Sequence, residues 1–365
     1  MSSKKHILVP RFADSANVNP QNLNAKSLLS RFREPGVTWS MIHYLEPEKV
    51  FTNAPQVRIT KLMPRYLWKP HLAAWYQQSA DAIFYPGVMN VDEWALRIRA
   101  LSGRKIPLIS TLEGLAGNPD RERQLSEWAG HPVYCQYVEP AVLRRVDYIL
   151  KSSDHIIAIS PFLARMGQKL YGNKISVHML GVEGSLFTKA SDRKRAMTVI
   201  NIASLQPRKR PEMFLELAAR FPEVDFVWFG EGERRERFIS EVERRNLGNL
   251  RFPGPKTPVE LAGALQSACI FAIPSNSEGV PKVTQEAAAC GLPIVVYGYY
   301  ETPTVVDGHN GFVVWNDEEF CERVGTLIAN PDLAARMGEQ SAQMARQWNW
   351  DTLAKKWEDE ILNHL

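Results

Sequence analysis

An α/β protein of two Rossmann-like domains is what this sequence predicts, on three observations. Short, almost wholly apolar runs alternate with helical stretches, the pattern of parallel strands buried on both faces. The chain has 365 residues, long for one core and ample for two. Its opening strand, loop and helix are how a nucleotide-binding α/β half begins, and a strand, loop and helix recur from residue 197.

The elements follow in order. Residues 6–12 form a buried first strand, 13–23 a loop rich in Asn, Asp and Ser, and 24–33 a helix. Residues 37–43, 81–85 and 106–112 are further strands, and the last of them runs into Glu113 and Gly114. A helix over 140–151 and a strand–helix–strand unit over 154–178 complete the first domain, 1–182. The charged run 192–195 is an exposed linker. The second domain, 183–345, begins its sheet at 197–203 and adds strands near 224–229, 250–254, 269–274, 292–296 and 312–314. Helices from about 332 carry Trp348, Trp350 and Trp357, and the last of them, about 346–365, is expected to pack back on the first domain through these aromatics.

Composition narrows the class. At 45% hydrophobic and 23% charged, the chain is an ordinary globular protein, and a net charge of +4 with mixed signs gives no nucleic-acid footprint. No run of 18 apolar residues exists, and the N-terminus lacks the apolar stretch of a signal peptide. Cys135, Cys269, Cys290 and Cys321 form no C-x-x-C pair, which suits a reducing cytoplasm. No two of the eight histidines share metal-ligand spacing on one element and there is no D-x-D, so no metal site is expected.

The stretch 273–294, IPSNSEGVPKVTQEAAACGLPI, carries the chemistry. Its loop ends in Glu278 and Gly279, Pro281 fits the first helical turn, and Gly291 sits where the helix must stop in the left-handed region. Glu278 and Glu286 are separated by seven residues, a spacing that lets one carboxylate take a sugar and the other a ribose. The helix start between them offers N–H groups at Lys282 and Val283 to a diphosphate. Alternatively, Glu278 is solvated and Glu286 merely favours the helix start.

SEGVPKVTQEAAACGLPIVV resembles the E-x7-E motif of retaining glycosyltransferases of family 4, which have the GT-B fold: two Rossmann-like domains facing across a cleft. The resemblance runs from about 154 to 314. It implies transfer of a sugar from a nucleotide diphosphate sugar to a glycan, lipid-linked or small-molecule acceptor hydroxyl, without a metal or other cofactor. By the same resemblance Lys209 stabilises the leaving diphosphate, and Arg208 or Arg210 replaces an arginine whose place Ser204 holds. Glu278 binds the sugar, Glu286 the ribose, and Gly279, Val280, Lys282 and Val283 line the diphosphate. The main chain at Phe252 and Pro253 meets the base.

The chain departs from the family at further places. Ser15, Asn17 and Asn19 stand in the first loop in place of a glycine pair, with Asn17 the donor-side candidate. Glu113 takes the place of a histidine, as a base or sugar ligand, or as a plain loop glutamate. Tyr300 and Glu301 replace a second glycine pair, and Thr304 replaces a glutamate. The basic, aromatic stretch 58–75 is either a peripheral contact with the inner face of a membrane or a helix with its aromatic face buried. Rival readings are a sugar-nucleotide epimerase or phosphorylase on the same fold, and an inactive scaffold.

Overall fold

The computed structural model describes residues 4–9, 20–43, 57–61, 80–88, 96, 99–100, 105–172, 174–190 and 196–365. Asn17, the linker 192–195 and most of the stretch 58–75 lie outside them. The chain divides into two units. The first holds 1–120, 137–180 and 350–365, and the second 121–136 and 181–349. A single boundary near 182 does not provide for residues 121–136, which group with the second unit.

The first unit contains β1 (Lys5–Val9), α1 (Pro20–Leu29), β2 (Val37–His43), β3 (Val57–Lys61), β4 (Ala82–Tyr85), β5 (Leu108–Leu112) and β6 (Ala116–Gly117). After α2 (Pro119–Ala129) and β7 (Gln136–Tyr137) come α3 (Pro140–Ser152), β8 (His155–Ala158), α4 (Pro161–Tyr171) and β9 (Lys174–Val177). Seven strands form a parallel sheet in the order β3-β2-β1-β4-β5-β8-β9. Two expectations change. The first helix starts at Pro20 rather than near 24, since proline suits a first helical turn. The start of the basic stretch is a strand, because Val57–Lys61 extends the sheet beside β2.

The second unit contains β10 (Thr198–Ile202), α5 (Glu212–Arg220), β11 (Asp225–Phe229), α6 (Arg235–Arg244), β12 (Leu250–Gly254), α7 (Pro258–Ser267) and β13 (Ile270–Ile273). It continues with α8 (Lys282–Ala289), β14 (Ile294–Tyr297), β15 (Gly311–Val314), α9 (Asp317–Ala329) and α10 (Pro331–Ala345). Its sheet is parallel in the order β12-β11-β10-β13-β14-β15. That is a doubly wound order, and it reverses between β10 and β13. Ligands of such sheets bind beyond the C-terminal strand ends at the reversal. The Asn201 amide donates to the Ala272 carbonyl at 2.6 Å and ties the two strands there.

The helix carrying the two carboxylates is short. Pro281 stands just outside it as N-cap, not inside its first turn, with ψ of 109°. Gly291 follows at φ 75°, where a side chain would be strained. Helix α10 packs behind it so closely that a Cβ on Gly338 would lie 2.3 Å from the Gly291 carbonyl oxygen.

The last helix, α11 (Trp350–Leu362), belongs to the first unit. The buried Glu358 carboxylate accepts from the backbone N–H groups of Arg33 and Glu34, both at 3.0 Å. The Trp357 indole donates to the Met179 carbonyl at 2.9 Å, and Trp350 is fully buried. Trp348 is buried in the second unit instead.

Near the end of α11, Glu360 gathers three histidines. Its carboxylate lies 3.0 Å from His155 Nε2, 3.4 Å from His364 Nε2 and 3.5 Å from His178 Nε2. Burial, and then the neighbouring His364, lower the His155 pKa to about 4, against the pull of Glu360. The folded chain therefore keeps His155 neutral, whereas the unfolded chain takes up a proton below about 6.5. Stability is expected to fall as pH drops from 6.5 towards 4, by at most roughly 3 kcal/mol from this group. Glu360, held below its ordinary value, adds a further loss at still lower pH. Urea melts at pH 7.5, 5.5 and 4.5 check this: His155→Gln should flatten the dependence, and parallel curves for both chains would exclude His155 as its source.

Candidate functional site

The site is built where the second sheet reverses. The loop leaving β10 carries a 3-10 turn at Pro207–Lys209, and the loop leaving β13 carries Glu278. The Asn276 N–H donates to the Arg208 carbonyl at 2.8 Å, so the two loops are joined through their backbones. Arg208 Nη1 donates to the Ser277 carbonyl at 2.8 Å and lies 3.5 Å from the Glu278 carboxylate. Lys209 donates directly to Glu278, and the two side chains are 12% and 10% exposed.

Burial sets the electrostatics of this pair. It raises the pKa of the Glu278 carboxyl, but the attraction of Lys209 and then Arg208 outweighs it and the carboxyl stays below its ordinary value. The Lys209 ammonium is lowered by the same burial, against the pull of Glu278. These directions oppose each other, one favouring a charged pair and the other a neutral lysine. Arg208, a second cation on the carboxylate, decides for the charged pair at neutral pH. A lysine has three N–H donors, so Lys209 can hold Glu278 and still present donors to an incoming oxygen.

Glu286 is held differently. It sits inside α8, with no hydrogen bond or ion pair to any described residue, and burial raises its carboxyl against a weaker pull from Lys282. Two carboxylates on one loop and helix are thus driven in opposite directions, a mark of distinct roles. No side chain caps the N-terminus of α8, whose first N–H groups have no partner within the helix.

The structure brings Lys209, Arg208, Glu278, Gly279, Val280, Lys282, Val283 and Glu286 into one stretch of the second unit. Arg210 is otherwise engaged, and this corrects its expected role. It takes φ 54°, forms a bidentate pair with Asp317 at 2.7 and 2.5 Å, and lies over the Tyr297 ring. An arginine so held anchors its loop to the start of α9 and is not at hand for a diphosphate. Phe252 is buried and its carbonyl accepts from Arg235 Nη2 at 2.8 Å, while Pro253 is exposed. Glu113 follows β5 in the first unit, half-buried.

Residues 121–136 supply contacts that no motif announced. His131 Nε2 lies 2.7 Å from Glu301 Oε1, Ser277 Oγ donates to the Tyr134 carbonyl at 2.8 Å, and the Tyr134 ring meets Tyr299 edge-on at 5.1 Å. Their only trace in the sequence was the replacement of a glycine pair by Tyr300 and Glu301.

Among the described residues, one group has donor atoms close enough for a metal: His155, Glu360 and His364, all within 4.8 Å of one another. It lies in the first unit, and its geometry does not suit an ion. The two rings stack at 3.7 Å and 22°, so their in-plane lone pairs run side by side rather than converge. His155 Nδ1 is buried without the acceptor that a metal-bound imidazole ordinarily has.

Residues 186–344 match the family model described as glycosyl transferases group 1. The match lies within the second unit. Similar curated proteins include an uncharacterised glycosyltransferase of Methanocaldococcus jannaschii, 25% identical over 209 residues, covering 56% of this chain and 58% of the relative. Another is the D-inositol 3-phosphate glycosyltransferase of Streptomyces bingchenggensis, 34% identical over 167 residues, 41% of this chain and 37% of the relative. The chain spans about half the length of the curated relatives it matches. Among solved structures, sucrose-phosphate synthase from Thermosynechococcus elongatus matches at a TM-score of 0.78, with 16% identity over 98% of both chains. Anabaena HepE in complex with UDP-glucose matches at 0.74, with 18% identity over 99% of this chain and 100% of that one. The fold is therefore GT-B, each unit a Rossmann-like half.

The pair at the centre of this site has a stability consequence. Lys209→Met leaves a mostly buried carboxylate with Arg208 alone and should cost about 3 kcal/mol, the low end for breaking a buried pair. Lys209→Met/Glu278→Gln should recover part of that loss. Urea midpoints of the single and double variants test it, and strictly additive losses would show that the two groups are not coupled.

Proposed function

We propose that this chain is a retaining glycosyltransferase of the family 4 type, moving a sugar from a nucleotide diphosphate sugar to an acceptor hydroxyl without a metal. The observation that carries the reading is the Lys209–Glu278 pair at the sheet reversal, with Arg208 on the same carboxylate and the head of α8 uncapped beside it. That the related fold of Anabaena HepE was obtained with UDP-glucose supports the donor class.

In this reading the bond between the sugar's anomeric carbon and the diphosphate oxygen breaks, and charge develops on that oxygen. Lys209, Arg208, Lys282 and the first N–H groups of α8 stabilise it, the electrostatic work that a metal does elsewhere. The acceptor oxygen forms the new bond from the face the diphosphate leaves, which retains configuration, and its proton passes to a phosphate oxygen. Glu278 accepts hydrogen bonds from the sugar hydroxyls. Glu286, half-buried and unpaired, accepts from the ribose hydroxyls. Glu113, on the acceptor-binding first unit, is a base or sugar ligand. The acceptor is a glycan, a lipid-linked sugar or a small molecule, and the cytoplasm is the compartment that suits four free cysteines. No helix among the described residues is long and apolar enough to cross a membrane, so a lipid-linked acceptor would be met at the membrane surface.

Thermal melts with UDP, GDP, ADP and dTDP, each with and without EDTA, are the direct test. One nucleotide should raise the melting temperature with no effect of EDTA, and a shift abolished by EDTA would refute metal independence. Glu278→Gln should lower turnover by about 10²-fold or more; near-normal turnover would remove Glu278 from the reaction. Glu286→Ala should weaken binding of the free nucleoside diphosphate, and unchanged affinity by calorimetry would end the ribose assignment.

A further inference from the structure

Three tyrosines, Tyr297, Tyr299 and Tyr300, follow one another at the end of β14, the strand beside the one that leads to Glu278. Two of their hydroxyls are satisfied: Tyr297 donates to Asp317 at 2.7 Å and Tyr299 to the Trp315 carbonyl at 2.6 Å. The third is not. Tyr300 is 2% exposed, and its hydroxyl is buried with no hydrogen-bond partner among the described residues. A buried hydroxyl left in this state costs about 1–3 kcal/mol, whereas phenylalanine would fill the same space without the cost.

The backbone around Tyr300 is under constraint as well. It closes a 3-10 turn whose next residue, Glu301, is in the left-handed region at φ 40°, a conformation that glycine takes freely and glutamate does not. The 2.7 Å contact of Glu301 with His131 holds that residue there. The fold thus keeps a strained glutamate and an unsatisfied phenol in adjacent positions. Strain beside an unsatisfied buried group is a reason to look for a function there. The phenol also lies within the field of Glu278. Burial first, then Glu278 and Tyr297, raise its ionisation well above the ordinary value, so it is a proton donor at any working pH.

We propose that the Tyr300 hydroxyl is a ligand group of this site, donating a hydrogen bond to a hydroxyl oxygen of the sugar that Glu278 also binds. This rests on the reading above of the site as one for a nucleotide diphosphate sugar. Glu278 accepts from the sugar and Tyr300 donates to it, so together they take both halves of a sugar hydroxyl's hydrogen-bonding capacity.

The test compares the wild-type chain with Tyr300→Phe, which removes one oxygen and keeps the ring. Affinities are measured by calorimetry for whichever of UDP, GDP, ADP and dTDP binds the wild type, and for the glucose conjugate of that nucleotide. Tyr300→Phe should lose about 5–10-fold in affinity for the conjugate and nothing for the nucleoside diphosphate. Its unliganded melting temperature should equal or exceed that of the wild type, because an unsatisfied group has been removed. An unchanged affinity for the conjugate would overturn the assignment. So would an equal loss for both ligands, which would put the hydroxyl on the phosphates. A lower unliganded melting temperature with normal binding would make the hydroxyl a structural group. If the wild-type chain binds no nucleotide at all, the reading of the site falls and the role of Tyr300 falls with it.

Discussion

The contact of Lys209 with Glu278 is the constraint from which the second unit's chemistry follows. Each residue leaves the C-terminal end of a different strand, β10 and β13, on either side of the point where the sheet order reverses. Two loops that carried only cations, or only a carboxylate, would be driven apart or left as buried charges needing water. Opposite charges let them close on each other, and the backbone bond from Asn276 to Arg208 then sets their register. In the proposed reaction the two loops are held ready at the cost of an ion pair that the substrate shares. Lysine suits that sharing, because its three donors need not all point the same way.

The two glutamates divide the work by environment. Two cations hold the Glu278 carboxyl below its ordinary value, whereas burial raises that of half-buried Glu286. A carboxyl with no partner among the described residues is costly to bury unless something else comes to meet it. The same reasoning applies to the hydroxyl of Tyr300.

Much of this was legible in the sequence. Apolar strand runs alternating with helical stretches gave the fold class, and the resemblance of the E-x7-E motif and of the Lys209 segment singled out Glu278, Glu286 and Lys209, because those features depend on neighbours along the chain; of these the structure brings Lys209 and Glu278 into contact. What escaped depends on neighbours in space. Arg210 and Asp317 are 107 residues apart and nothing near either marks them as partners, so the sequence leaves Arg210 beside Arg208 as an alternative cation for the diphosphate, whereas the structure pairs it with Asp317. His155, Glu360 and His364 meet only because the last helix returns to β8 and β9. The grouping of residues 121–136 with the second unit has no local signal either, since their sequence reads as an ordinary helix and turn. Tyr300 and Glu301 were visible as departures from a glycine pair, yet only the φ of Glu301 and the bare hydroxyl of Tyr300 gave the departure a meaning.

The approach of α10 to α8 sets how much variation the site can tolerate from behind. Ser341, fully buried in α10, donates to the Asn310 carbonyl, and Asn310 in turn holds the loop around Thr304 and Val306. Gly338 leaves no room for even one methyl group against the carbonyl that ends the glutamate helix. A methyl there would need the two helices to part, and the helix with fewer anchors would be displaced. Position 338 thus works as a gauge block for the helix that carries Glu286: its smallness fixes how closely α10 can stand behind that helix.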